Sequence, residues 1–200
     1  MGINPKKIRV IPSGYIENRF KVINKNKCRH KLSIKSKKVV LFVGSLIERK
    51  GVEYLIKAMK VISIKMNDVA CYIVGKGPKE RELRELSRKL QIEKNVIFVG
   101  QKDPKDIPLW MNACDLLVLP SLNEGLANVL YEALACGKPI VVTNVGGSPE
   151  ITTKDVGFLV KPKDYYDLAE KILKTLNKRW NKNIILKNAK KYSAKVSSKK

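Results

Sequence analysis

From Val39 onward, short apolar runs rich in β-branched residues alternate with longer amphipathic segments, and this alternation limits the fold more than any other feature of the chain. The runs are "VVLFVG" (39–44), "VACYIVG" (69–75), "NVIFVG" (95–100), "DLLVLP" (115–120), "PIVVT" (139–143) and "GFLV" (157–160). They are apolar throughout rather than at every second residue, the pattern of strands covered on both faces. Between or after them lie "KGVEYLIKAMKVI" (50–62), whose Val52, Leu55, Ile56 and Met59 follow helical spacing, "PKERELRELSRKLQI" (78–92), "KDIPLWMNAC" (105–114) and "DYYDLAEKILKTL" (164–176). Strands that alternate with helices imply crossover connections in a parallel sheet. The prediction is an α/β, Rossmann-like doubly wound domain.

Such a sheet binds its ligand beyond the carboxyl ends of the strands, near a switch in strand order. Gly44, Gly75, Gly100 and Pro120 end four of the strands there. The whole chain is expected to be one domain, with a basic leading segment (1–38), the sheet and helices (39–176) and a basic terminal helix or tail (177–200). Within the ends, "IRVIPSG" (8–14) reads as a further strand and turn. "NKNKCRHKLSIKSKK" (24–38) reads as a solvated loop or irregular helix, and "NIILKNAKKYSAKVSSKK" (183–200) as a fraying basic helix.

The 200 residues carry a formal charge of +23, unevenly placed. Residues 1–38 hold 12 Lys/Arg against 1 Asp/Glu, residues 39–160 hold 16 against 14, and residues 161–200 hold 13 against 3. A charge of this size would ordinarily raise nucleic acid or an anionic membrane surface as a partner, but the centre is nearly neutral and only the ends are basic, where solvating charge is the plainer reading. A basic nucleic-acid-binding module is the non-enzyme alternative. It calls for aromatic platforms among the cations, and the ends supply only Tyr15, Phe20, Trp180 and Tyr192, with no recognised motif, so no specific nucleic acid is expected.

Cys28, Cys71, Cys114 and Cys136 are widely spaced with no Cys-x-x-Cys pair, which argues against zinc or a disulfide framework. Buried thiols in a reducing compartment are expected. No apolar run reaches the length of a membrane span, so the chain reads as cytoplasmic.

"PSLNEGLANVLYEALACGKP" (120–139) carries two acids eight positions apart, Glu124 and Glu132. Leu126, Val129, Leu130, Ala133 and Leu134 recur at helical spacing, so a helix is expected to begin near Gly125 with Glu124 at its mouth. Free amides at a helix start attract phosphate, and a carboxylate two turns further on can accept hydrogen bonds from a diol. A nucleotide sugar offers both, with a sugar besides for Glu124. From spacing alone, Glu124 reads equally as an ordinary acid at a helix start and Glu132 as part of a solvated face. The loop "GSLIERKG" (44–51) adds Arg49 and Lys50, cations suited to a diphosphate. It is not a Walker loop, because Gly follows Lys50. "GKGP" (75–78) reads as a tight turn, and "VGGSPE" (145–150) either as a close approach to ligand or as a plain loop.

In order along the chain, "VIPSGYIENRF", "LFVGSLIERKGVEYLIKA", "YIVGKGP", "VIFVGQ", "CDLLVLPSLNEGLANVLYEALACGKPIVVTNVGGSPEI" and "GFLV" resemble the second, nucleotide-sugar-binding domain of the family 4, or group 1, retaining glycosyltransferases of GT-B architecture. The Glu-x7-Glu block followed by "GGSPE" is the most specific part. The resemblance implies that Glu132 holds the ribose hydroxyls and Glu124 the transferred sugar. It further implies that the backbone of Gly125, Leu126, Ala127, Asn128 and Val129 meets sugar and phosphates, that Lys50 meets the diphosphate, and that the base lies near Lys102. It implies transfer of a hexose-type sugar from a UDP- or GDP-linked donor with retention, no cofactor and no metal. Charge on the departing diphosphate would be stabilised by cations and helix amides.

Two departures stand out. The family's usual "GRL" is "GSL" here, so Ser45 occupies the place of an arginine, and Arg49 is the residue that could replace its charge. The family's enzymes also have an amino-terminal Rossmann domain that binds the acceptor, and these 200 residues carry none. The chain is therefore expected to act with that domain or with a partner chain, in polysaccharide or glycolipid synthesis. A sugar-nucleotide epimerase of the same architecture is the second enzyme reading; it needs a histidine at the cleft, and His30 is the only one.

Overall fold

The computed structural model describes residues 14–193. The strand expected at residues 8–14 lies almost wholly outside them, as does the end of the terminal helix beyond residue 193.

All six apolar runs are strands: β1 (Lys38–Val43), β2 (Val69–Val74), β3 (Val96–Gly100), β4 (Leu116–Leu119), β5 (Ile140–Thr143) and β6 (Gly157–Val160). They form one parallel sheet in the order β3-β2-β1-β4-β5-β6. This is the doubly wound order, and its switch point lies between β1 and β4. The central strands are sealed on both sides, as their unbroken apolar sequence requires: Val40, Leu41, Phe42, Leu116, Leu117, Val118, Ile140 and Val141 have no exposed surface.

The helices are α1 (Lys25–Lys31), α2 (Val52–Lys65), α3 (Glu80–Lys89), α4 (Ile107–Ala113), α5 (Asn128–Ala135), α6 (Ser148–Ile151), α7 (Tyr165–Asn177) and α8 (Lys182–Lys190). α2 packs on α3 and α7, while α4 packs on α1 and α5, and α5 on α8. The stripe Val52, Leu55, Ile56, Met59 and Ile62 of α2 is buried to 2% exposure or less. At about 1.5–3 kcal/mol for each large side chain removed from water, that stripe holds α2 to the sheet. Asp164 caps α7 by accepting from the amides of Tyr166 and Asp167.

The basic leading segment is ordered more firmly than its composition suggests. Of the two readings of this stretch, loop or irregular helix, residues 25–31 take the helical one. Asn24 caps α1, Cys28 is fully buried, and the Arg29 guanidinium donates to Asp115 Oδ2 (2.8 Å) and to the carbonyl of Ala113 (2.9 Å). Asp115 also accepts from Lys25 Nζ and from the amide of Val39 (2.7 Å), tying α1 to the start of β1. The buried amide of Asn112 does similar work next door: its Oδ1 accepts from Ile23 N (2.8 Å) and its Nδ2 donates to Lys21 O (3.0 Å). One acid and one amide thus convert a lysine-rich stretch into a docked element.

All four cysteines are buried and free. Tyr15 and Phe20 are buried in the core, Trp180 packs edge-on to Phe158, and Tyr192 lies over Tyr131. The aromatic residues of the basic ends are therefore packing residues, not platforms for bases. Among the described residues no helix is long and apolar enough to cross a membrane.

Candidate functional site

Three loops meet beyond the carboxyl ends of β1, β4 and β5, and backbone contacts clamp them together. The first, after β1, ends in a single 3-10 turn (Glu48–Lys50) closed by Gly51 at φ 60°. A β-carbon at Gly51 would stand 2.1 Å from the carbonyl oxygen of Pro120, so only glycine fits both the backbone and the contact. Beside it, Leu122 N donates to Arg49 O at 2.7 Å. The third loop, after β5, presses on the second in the same way: a β-carbon at Gly146 (φ 52°) would lie 1.7 Å from Glu124 O, and Gly147 N donates to Gly125 O at 2.9 Å. The two glycines of "VGGSPE" thus permit close approach to the Glu124–Gly125 backbone.

These clamps bring Lys50 and Glu124 together at the switch point. Lys50 Nζ donates to Glu124 Oε2, and Ser121 Oγ donates to the same oxygen at 3.1 Å. The side chains are 14% and 10% exposed, so the pair is largely shielded from water. Arg49 stands outside it: its guanidinium lies 3.9 Å from Glu124 Oε1 and its side chain is 56% exposed. Ser45 is exposed in a neighbouring cleft of about 340 Å³, at the ends of β1, β2 and β3, which it shares with Gln101 and Lys102.

The helix expected from Gly125 begins three residues later, at Asn128. The reason is the clamp: Gly125 O is engaged by the amide of Gly147, and Ala127 is still extended at φ −82°, ψ 113°. Ala127 is the N-cap, and no side-chain hydrogen bond caps the helix. Helix starts favour Ser, Thr, Asp or Asn at this position by about 1 kcal/mol over alanine. Gly125 is exposed, and a β-carbon there would meet nothing within 4 Å. A helix start without a side-chain cap, beside open space, is chemically able to receive an acceptor group from elsewhere. Ala127 is buried, Leu126 and Val129 are half-buried and Asn128 is exposed, so this stretch offers backbone more than side chains.

Glu132 is half-buried midway along α5. Burial pushes its carboxyl above the usual range, and the guanidinium of Arg19 pulls it back down. Arg19 is a residue that reading the sequence passed over as one more basic residue of the leading segment. It sits in the turn Ile16–Phe20, whose amides at Arg19 and Phe20 both donate to Ile16 O at 3.0 Å, and its Nε is buried without a hydrogen-bond partner. Its charge also reaches Asp103, directly after Lys102. The one sequence signal was its place before the core residue Phe20.

His30, by contrast, is exposed on α1, which packs on α4. It takes no part in the group around Glu124, and the chemistry of an epimerase has no histidine there. Among the described residues no cluster of three His, Cys, Asp or Glu side chains is arranged to hold a metal.

Comparison with known proteins gives a consistent answer. The family described as "Glycosyl transferases group 1" matches residues 24–193. The GDP-mannose-dependent monoacylated alpha-(1-6)-phosphatidylinositol monomannoside mannosyltransferase of Corynebacterium glutamicum is 33% identical over 178 residues, which are 84% of this chain and 46% of that protein. Anabaena Alr3699/HepE, solved in complex with UDP, superposes with a TM-score of 0.84 at 28% identity, covering 96% of this chain and 55% of that one. The C-terminal domain of a glycosyl transferase group 1 family protein (LpcC) from Francisella tularensis superposes with a TM-score of 0.76 at 25% identity, covering 94% of this chain and 98% of that domain. The chain spans less than half the length of the first curated relatives it matches.

Proposed function

The chain belongs to the group 1 glycosyltransferases, and from that premise we propose that it is the donor-binding half of a retaining, family 4 enzyme of GT-B architecture. In this reading it holds a nucleoside diphosphate sugar while a further Rossmann domain or partner chain brings a saccharide or lipid-linked acceptor, in polysaccharide or glycolipid synthesis. The observation that carries the reading is the shielded Lys50–Glu124 pair, formed at the switch point by residues 74 positions apart, beside an uncapped helix start.

Each part has a task. The amides at the start of α5 and the ammonium of Lys50 meet the diphosphate, Glu124 accepts from sugar hydroxyls, and Glu132 accepts from the ribose diol. The cleft holding Ser45, Gln101 and Lys102 takes the base. When the bond from the anomeric carbon to the diphosphate breaks, its electron pair stays on the diphosphate oxygen. Lys50 and the helix amides face that growing charge in a site poor in water, where such contacts are worth most. The acceptor hydroxyl bonds the anomeric carbon and passes its proton to the departing diphosphate oxygen, whose new electron pair receives it. Ser45 supplies no charge, so Arg49, already at the rim, is the second cation of the diphosphate site. No cofactor or metal is needed for this division of labour.

Support for the ligand class comes from the UDP complex of the Anabaena protein and the GDP-mannose dependence named for the Corynebacterium relative. Titration calorimetry of the chain with UDP, GDP and their sugar conjugates tests the reading. Saturable binding of one nucleotide is expected, weakened about tenfold or more in Lys50→Ala and in Glu132→Ala, the loss of one charge-assisted contact. Failure of every nucleotide to bind would sink it.

A further inference from the structure

The two edges of the sheet are finished differently. β6 carries a charged cover: Trp180 stands edge-on to Phe158, and Lys174 and Lys178 lie over the same ring at 5.3 and 5.6 Å. Lysines placed in this way keep an edge strand from pairing with another chain. β3 has no such guard. Its sequence, VIFVG, holds neither a charge nor a proline, and among the described residues no further strand pairs with it. Asn95 O accepts from Cys71 N of β2 (2.7 Å), so alternation along the strand turns the amide and carbonyl of Phe98 away from β2, toward the open side. Ile97, Phe98 and Val99 are half-buried, and a cleft of about 290 Å³ lies between β3 and the Arg84, Ser87 and Arg88 side of α3.

The occupant is indicated by the charges on α3. Glu80, Arg84 and Arg88, spaced four apart, share one face of the helix and line a second cleft of about 430 Å³ that adjoins the first at Arg84 and Arg88. Arg84 lies over the Phe98 ring at 4.6 Å and gives its two hydrogen bonds to Glu80 to a single oxygen, Oε1, at 2.7 and 3.0 Å. Arg88 comes no nearer to Glu93 than 3.8 Å. The row thus starts with a carboxylate that has an oxygen to spare and ends with a loosely held guanidinium. Turned end for end, it complements itself. A two-fold axis normal to the sheet pairs β3 antiparallel with a second β3 and sets the two α3 helices antiparallel on one face, about 10 Å apart, which is a helix-packing distance. Glu80 of each copy then meets Arg88 of the other. A formal charge of +23 opposes self-association, but residues 39–160 carry 16 Lys/Arg against 14 Asp/Glu, and β6, which the basic carboxyl-terminal residues follow, lies five strand spacings from β3. That is about 24 Å, well beyond the Debye length of about 8 Å at physiological salt. We propose that the β3 edge and α3 form a two-fold interface between copies of this chain.

Analytical ultracentrifugation of the full chain over a range of concentrations tests the assignment, with circular dichroism to confirm that each variant is folded. The parent is expected to form a reversible dimer. Glu80→Arg and Arg88→Glu should each raise the dissociation constant about tenfold or more, because each sets like charges against one another across the axis. The two substitutions change the net charge in opposite directions, so a common loss cannot come from net charge. An equimolar mixture of the two variants restores the opposite pairing and should dimerise close to the parent. Hydrogen exchange read by mass spectrometry should show residues 96–100 protected in the dimer and exposed on dilution. A parent that stays monomeric would overturn the proposal and leave the edge to a strand from another protein. Single variants that dimerise as the parent does would assign the interface to another face, and a mixture that stays monomeric would refute the two-fold pairing of Glu80 with Arg88.

Discussion

Lys50 and Glu124 form one ion pair from two loops that leave the sheet in opposite directions, the first toward α2 and the second toward α5. With the side chains 14% and 10% exposed, neither charge is well hydrated if the other is removed. Breaking a shielded pair costs more than replacing both partners by apolar groups. Lys50→Met is therefore expected to destabilise the chain by about 2–4 kcal/mol in urea unfolding. Adding Glu124→Leu in the same chain should recover part of that loss. Simple additivity of the two substitutions would show that the pair carries no coupling energy.

The clamp at Gly146 yields a prediction of a different kind. Gly146→Ala places a methyl group 1.7 Å from Glu124 O on a backbone with φ 52°, so the carbonyl of Glu124 must move. Strain of this kind costs about 1–3 kcal/mol. Because the displaced residue is Glu124, nucleotide-sugar affinity should fall by about tenfold at temperatures where the variant is fully folded. A variant with lowered melting temperature but parental affinity would place Glu124 outside the donor site.

How much of this was readable beforehand depended on the distance over which each feature is determined. The six strands were legible because an unbroken run such as "DLLVLP" states its own burial. The pairing of Lys50 with Glu124 was not legible: the resemblance assigned them to different parts of one donor, and with 74 residues between them neither spacing nor composition links them. The start of α5 was misplaced by three residues because helical periodicity says nothing of the amide of Gly147, which takes the carbonyl of Gly125. Arg19, and the docking of α1 that left its helix only one of two readings, were hidden for a related reason. A basic stretch reads as solvated until its distant partners are known, here Asp115 for Arg29 and Asn112 for the backbone at Lys21 and Ile23.

Asn112 should matter for stability and not for ligand. Its side chain is fully buried, it joins the leading segment to α4, and its own carbonyl accepts from Lys138 Nζ at 2.8 Å. Asn112→Ala leaves Ile23 N and Lys21 O without that partner, each at a cost of about 1–3 kcal/mol where buried. A loss of about 2–4 kcal/mol in urea unfolding is expected, with nucleotide affinity unchanged in the folded fraction. Loss of affinity matching the loss of stability would mean that the leading segment contributes to the donor site beyond Arg19.

Glu132 links stability and binding through pH. Burial raises its carboxyl above the ordinary value while the charge of Arg19 opposes the rise. A carboxyl raised on folding binds its proton more tightly in the folded chain. Between the ordinary carboxylate value and its raised value, its contribution to stability is therefore present at low pH and lost as pH increases. Glu132→Gln removes the cost of the buried charge and should stabilise the chain by about 1 kcal/mol at neutral pH, while weakening nucleotide binding. In the proposed function the ribose diol is held by the ionised carboxylate, so affinity in the parent should fall as pH is lowered through the same window. Arg19→Ala removes the opposing charge and should move the midpoint of that fall to higher pH, and Arg19→Lys should return it part of the way. Nucleotide titrations across pH for the three chains decide the matter. An unmoved midpoint in Arg19→Ala would show that the guanidinium does not govern Glu132, leaving its buried Nε a matter of packing alone.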